Sequence, residues 1–347
     1  MSLVTQAESV SAAGDRRLYA LDALRLAAAL AVLMHHWLKS TPKDLRSLAI
    51  FPEWLSWHGG YIGVATFFVI SGLVILMSTE KVDARGFVFA RIVRLYPAFW
   101  ICCSITYWCC INTKYSADWP GYVTSMTMFP AAFGHIAVDG VYWTLAVEAK
   151  FYLAIALMLA MHRRSQIPAL IVAWVCAGWV VRDATVRTAF ALDWAPYFAA
   201  GCACYLLKRR RTWARWAMLA LASWFCAELA AGKAMQHAKM YGISADPVLL
   251  AAVILAMIGL VLAVSMGWVR LPGSRTVVAM GAMSYPLYLL HSFLGWKALG
   301  LWATDALSYF AVLAGMLFLA WAVSHTLEPR GKAMLRWVLW QRVGGSK

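Results

Sequence analysis

The sequence predicts an all-α, polytopic integral membrane bundle of about ten transmembrane helices with both termini cytoplasmic, and three observations predict it. Of its 347 residues, 63% are apolar and 14% charged, which leaves too little polar surface to cover a soluble domain. Apolar runs of roughly 20 residues, the length that crosses ~30 Å of hydrocarbon, recur along the whole chain between short polar breaks. The basic residues gather in alternate breaks, the distribution that orients membrane proteins.

The expected helices cover residues 22–38, 60–79, 95–112, 142–161, 167–182, 194–207, 213–231, 247–267, 277–297 and 306–326. Residues 1–21 form a polar cytoplasmic segment, 22–326 the transmembrane domain and 327–347 a basic cytoplasmic tail. The first apolar run ends in His35, His36 and Trp37, where a cleavable signal would end in small residues, so it is expected to remain as a helix. With the N-terminus inside, 20 of the 31 Lys and Arg residues lie on the cytoplasmic side and nine outside. Arg25 and Lys150 fall within helices, and Lys150 is expected to snorkel to the outer interface. The net charge of +15 therefore reads as a topology signal, and no nucleic-acid partner is expected.

Eight cysteines include Cys102, Cys103, Cys109 and Cys110 in one apolar segment and Cys202 and Cys204 in another. Within a membrane helix they serve as small apolar residues, with no His or carboxylate interleaved, so neither a disulfide framework nor a metal site is expected.

Ionisable groups inside a bilayer cost several kcal/mol each and point to function. On the first helix Arg25 lies near the cytoplasmic end and His36 near the outer end. Eleven residues at about 100° each put the two on one face, ~16 Å apart, and turn His35 away. On the fourth, Thr144, Glu148 and Tyr152 follow at i, i+4 as one stripe. On the ninth, Ser284, Tyr288 and His291 form another, past an expected kink at Pro286. Any one of these residues alone is as well read as a structural hydrogen bond, and His35 and His36 as interfacial like Trp37. Three helices that bring His36, Glu148 and His291 to similar depth instead suggest an acid/base site, with one carboxylate and two imidazoles. Arg91 and Arg94, three apart at an expected helix start, suit phosphate binding, although from the residues alone positive-inside signalling is the stronger account of them.

These segments resemble acyltransferase family 3, the membrane O-acylating enzymes of bacterial surface polysaccharides and related substrates. The resemblance rests on LDALRLAAALAVLMHHW with Arg25 and His36, GYIGVATFFVISGLVI from Gly60, FVFARIVRLYPAFW with Arg91 and Arg94, YWTLAVEAKFY with Trp143 and Glu148, and SYPLYLLH ending at His291. It covers nearly the whole chain, and five segments in order are specific where one would be weak. The resemblance implies ten helices in the bacterial inner membrane, an acyl-CoA donor, acetyl-CoA above all, loaded from the cytoplasm, and no tightly bound cofactor. It makes His36 and Glu148 essential and places Arg25, Arg91 and Arg94 near the acyl donor. His291, Tyr288, Ser284, Tyr152 and Trp143 are further candidate contacts to acyl donor or acceptor. The expected acceptor is a carbohydrate or glycan hydroxyl at the outer side, with membrane lipids as surroundings. Glu328 stands directly before Pro329, a departure from the family pattern, and is assigned no role. The rival reading is a proton-coupled transporter of anionic or lipid-linked solutes, in which the same buried His and Glu would relay protons.

Overall fold

The computed structural model describes residues 18–40, 53–113, 116–241 and 246–344, and among these no strand occurs. The helices are α1 (Tyr19–Ser40), α2 (Glu53–Ser78), α3 (Ala84–Cys110), α4 (Trp119–Ser125), α5 (Trp143–Ala160), α6 (Ile167–Val180) and α7 (Ala184–Ala189). After them come α8 (Ala195–Arg209), α9 (Trp213–Tyr241), α10 (Pro247–Met266), α11 (Arg275–Leu290), α12 (Phe293–Trp302), α13 (Ala306–Ala322) and α14 (Glu328–Gly344). All ten expected segments fall on helices. By length and apolarity alone, six described helices can cross a membrane, or seven if the bent pair α11 and α12 counts as one. The helices α6 and α8, of 14 and 15 residues, are shorter than the roughly 20 residues a perpendicular span needs. The fold is thus an all-α membrane bundle, with ten spans and cytoplasmic termini as expectations.

At its centre α2 packs between α1 and α8. The backbones of α2 and α8 touch where both carry glycine: a Cβ on Gly201 would stand 1.9 Å from the Val69 carbonyl oxygen, and one on Gly72 2.1 Å from that of Phe198. Small residues permit this approach, since lipid tails are as apolar as any side chain and helices associate through close van der Waals fit. The cysteines join this packing. Cys102, Cys103, Cys202, Cys204 and Cys226 are buried and free, and Cys202 Sγ donates to the Gly72 carbonyl at 3.3 Å.

Three boundaries differ from expectation, each for a local reason. First, α3 begins at Ala84 and not near residue 95, because Asp83 caps it by accepting from the Gly86 N–H at 2.8 Å and so satisfies one of the open N–H groups of the first turn. Arg91 and Arg94 therefore lie inside a helix and not at its start. Second, the ninth segment does not kink at Pro286, which is accommodated within α11; it breaks at His291 and Ser292, where α12 turns away by 78°. Third, the expected tail is helical as far as Gly344. The chain widens into a π turn at Val323–Leu327 immediately ahead of Pro329, whose ring and missing N–H disrupt a regular α-helix.

Candidate active site

A cavity of about 590 Å3 opens between α1, α2, α3, α5, α11 and α14. Seven of the expected site residues line it: Arg25, Arg91, Arg94, Glu148, Tyr152, Ser284 and Tyr288. Asp22 shares the lining and pairs with Arg25 at 3.1 Å. The opposing helix makes room for that pair, since a Cβ on Gly281 of α11 would meet Asp22 at 2.5 Å.

Glu148 is tied in place on two sides. Its Oε1 accepts from Ser71 Oγ at 2.6 Å and from the Tyr152 hydroxyl one turn along α5. The Tyr152 ring lies under Arg91, whose guanidinium carbon is 5.9 Å from its centroid and 5.6 Å from that of Phe87. Arg91 Nε is buried with no hydrogen-bond partner among the described residues. A cation held on two aromatic faces with one donor unused is prepared for an anionic ligand.

Lys208, Lys332 and Arg336 complete the lining. The last two belong to the segment expected as a tail, and Glu328, assigned no role, is buried and forms an ion pair with Lys332. Six cations and two carboxylates, Asp22 and Glu148, thus line the cavity, with Glu328 behind it paired to Lys332.

His36 and His291 lie on a second level. Thr144 Oγ1 and the Tyr288 hydroxyl are 2.9 Å apart, which brings the start of α5 beside α11. From this contact Glu148 lies four residues further along α5 and His291 three residues further along the oppositely running α11, so at 1.5 Å per residue the two are about 10 Å apart along the axis. The expectation of similar depth is corrected accordingly: α5 and α11 run in opposite directions, and equal offsets from a shared contact diverge. His36 instead meets His291, with ring centroids 5.2 Å apart, and Trp296 at 5.8 Å. Tyr288 spans both levels, lining the cavity with its ring 5.5 Å from that of His291.

His291 is fully buried. Its Nδ1 lies 2.7 Å from the Tyr288 carbonyl oxygen, and a carbonyl only accepts, so Nδ1 carries a proton and in the neutral ring Nε2 keeps its lone pair. Nε2 has no hydrogen-bond partner among the described residues. Trp37, expected near the interface, is fully buried within the protein, and its Nε1 donates to the His291 carbonyl at 2.7 Å. His35 turns away from His36's partners, as helical phase requires, and its ring stacks toward His237 at 6.5 Å. Trp143 does not reach the cavity: it is half exposed and packs on Trp194, centroids 5.1 Å apart. Lys150 reaches a backbone carbonyl, that of Thr188, at 2.6 Å.

Sequence reasoning missed Asp22, Ser71, Lys332, Arg336 and the buried Asp139. Asp22 and Arg25 at i, i+3 carried a signal, as an ion-pair spacing within an apolar run. Ser71 and Asp139 carried none, being a common membrane-helix residue and the Asp of an Asp-Gly turn.

The described helices thus bring a cationic cavity beside the paired rings of His36 and His291, and it is the family match that gives the class, a membrane acyltransferase. The chain belongs to acyltransferase family 3, whose Acyltransferase domain profile matches residues 18–325. It is similar to the O-acetyltransferase OatA of Staphylococcus aureus strains NCTC 8325, COL and MRSA252, at 30% identity over 175 residues, or 43% of this chain and 26% of each relative. The matched region is thus about a quarter of the length of these curated relatives. No solved structure matches the chain.

Proposed function

We propose that this protein transfers an acetyl group from cytoplasmic acetyl-CoA to a hydroxyl of a carbohydrate or glycan at the outer side of the bacterial inner membrane. One observation carries the reading: the excess of six cations over two carboxylates around a single cavity, which suits the phosphates of a nucleotide thioester better than a neutral solute. Arg25, Arg91 and Arg94 hold the phosphates, and the pantetheine arm extends past Glu148 and Tyr288 toward His36. Its helix joins the two ends, since Arg25 and His36 share one face of α1.

His36 takes the proton from the acceptor hydroxyl as its oxygen attacks the thioester carbonyl. The C–O bond forms, the C–S bond breaks, and the same proton passes from His36 to the departing thiolate, so no charge is left over. An imidazole with an unperturbed pKa of about 6.5 suits both directions of this transfer near neutral pH. Glu148, held by Ser71 and Tyr152, acts on the acyl-donor side by fixing the aromatic support of Arg91.

Right-side-out membrane vesicles loaded with labelled acetyl-CoA and given an external, impermeant glycan panel test the reading. Label is expected on the external glycan while the vesicles stay sealed. Label only after they are made leaky would put acceptor and acyl donor on one side, and no label on any glycan would argue against the transferase.

A further inference from the structure

Asp139 is fully buried at a place where no side chain was expected to matter. It precedes Gly140 in the turn that opens α5, and its two carboxylate oxygens serve two different helices. Oδ1 accepts from the Val141 N–H at 3.2 Å, within its own turn. Oδ2 accepts from the Phe293 N–H at 2.8 Å, the first residue of α12. Ser292, the residue at the break, acts on the same carboxylate and favours its charged form. The carboxylate thus closes the N-terminal ends of two helices at once, where open N–H groups and the positive ends of the helix dipoles converge.

The geometry around it identifies what is being held. Ser292 lies at the 78° break between α11 and α12 and makes no cap with its own side chain, so Asp139 supplies the missing cap from another helix. His291 is the residue immediately before the break. Its backbone carbonyl is held by Trp37 and its Nδ1 by the Tyr288 carbonyl, which leaves Nε2 as the one uncommitted buried polar atom on this ring. A carboxylate placed out of water solely to end a helix is an expensive device, because Ser, Thr or Asn caps as well without a buried charge.

We propose that Asp139 is a positioning residue that acts through the break, holding His291 with its Nε2 lone pair ready to accept from His36 when His36 carries the proton of the acceptor hydroxyl. This rests on the transferase reading given above for the role of His36. The clamp itself does not, because it is a statement about where His291 stands.

Two measurements on the full-length protein in detergent test it. Diethylpyrocarbonate footprinting, read by mass spectrometry, reports the accessibility of the His291 ring without any turnover. Asp139→Asn keeps the size of the side chain and turns one acceptor into a donor, so His291 should react several-fold faster while His35 and His36 keep their rates. Ser292→Ala, which retains the carboxylate, should produce a smaller change in the same direction. An unchanged His291 rate in Asp139→Asn, or an equal rise at all three histidines in both variants, overturns the clamp. In the transfer assay Asp139→Asn should lower kcat about tenfold with the acetyl-CoA Kd unchanged, and the double variant with His291→Gln should be no worse than His291→Gln alone, the signature of two residues acting as one unit. Additive losses would overturn action through His291. A wild-type protein that transfers no acetyl group would refute the transferase reading, and the footprint would still decide the clamp.

Discussion

The hydroxyls of Thr144 and Tyr288, 2.9 Å apart, join the two levels of the site. Thr144 opens the stripe that leads to Glu148, and Tyr288 lies one turn from His291. Tyr288 also donates to the Val141 carbonyl at 3.1 Å, so its hydroxyl fixes the α5 entrance against α11. Tyr288→Phe should therefore cost about 1 kcal/mol of stability, the net worth of a buried hydrogen bond, and lower transfer more than it lowers acetyl-CoA binding. Thermal unfolding in detergent and isothermal titration would separate the two effects.

Adjacent histidines on α1 should behave differently. His36→Ala is expected to abolish transfer, because His36 faces His291 and Trp296. His35→Ala should keep much of it and lose some stability, since the His35 ring fills the space beside Gly60, where a Cβ would meet it at 2.5 Å. Equal losses of activity at equal expression would sink this assignment by helical phase.

From the residues alone topology is the stronger account of Arg91 and Arg94, and their place in the cavity lining favours the anion-binding one. Arg91→Ala or Arg94→Ala should weaken acetyl-CoA binding by roughly 1.5 to 3 kcal/mol, the value of a charge-assisted contact, with the fold retained. Lysine should rescue only partly, because it lacks the planar fork and stacks poorly on Phe87 and Tyr152. Undiminished affinity in the double alanine variant would return both residues to topology.

The Asp139 clamp should loosen in mild acid. Burial, working against its hydrogen bonds to the Phe293 and Val141 N–H groups, pushes the Asp139 carboxyl up to about 6. As pH falls through that value the carboxylate gains a proton and loses an acceptor, so His291 should become more accessible, a step missing in Asp139→Asn. The effect on stability has the opposite sign. The folded value lies above the ordinary 3.8, so the stability contributed by this group is fully present below pH 3.8 and is lost as pH rises through about 6. Tyr142, Tyr288 and Cys103 face the same carboxyl, but Tyr and Cys ordinarily titrate well above this window. Footprinting and thermal unfolding between about pH 4 and 7 would test the two opposite trends.

The sequence by itself determined the membrane class, that each expected segment falls on helix, and the phase that separates His36 from His35. These depend on local composition and on the 3.6-residue period, which one strand of text carries. It also named seven of the residues that line the cavity, since charge in an apolar run is conspicuous wherever it occurs. Only the tertiary structure decided which of them meet. The pairing of His36 with His291, and the displacement of Glu148 to another level, follow from how far α5 and α11 slide past each other, a quantity with no local signal. Lys332 and Arg336 read as tail charges because the π turn that carries α14 back to α3 is not visible in composition. Asp139 escaped for the same reason. Its importance lies in a hydrogen bond to Phe293 across 154 positions of sequence, and an Asp before Gly looks like any turn until the partner it caps has been brought beside it.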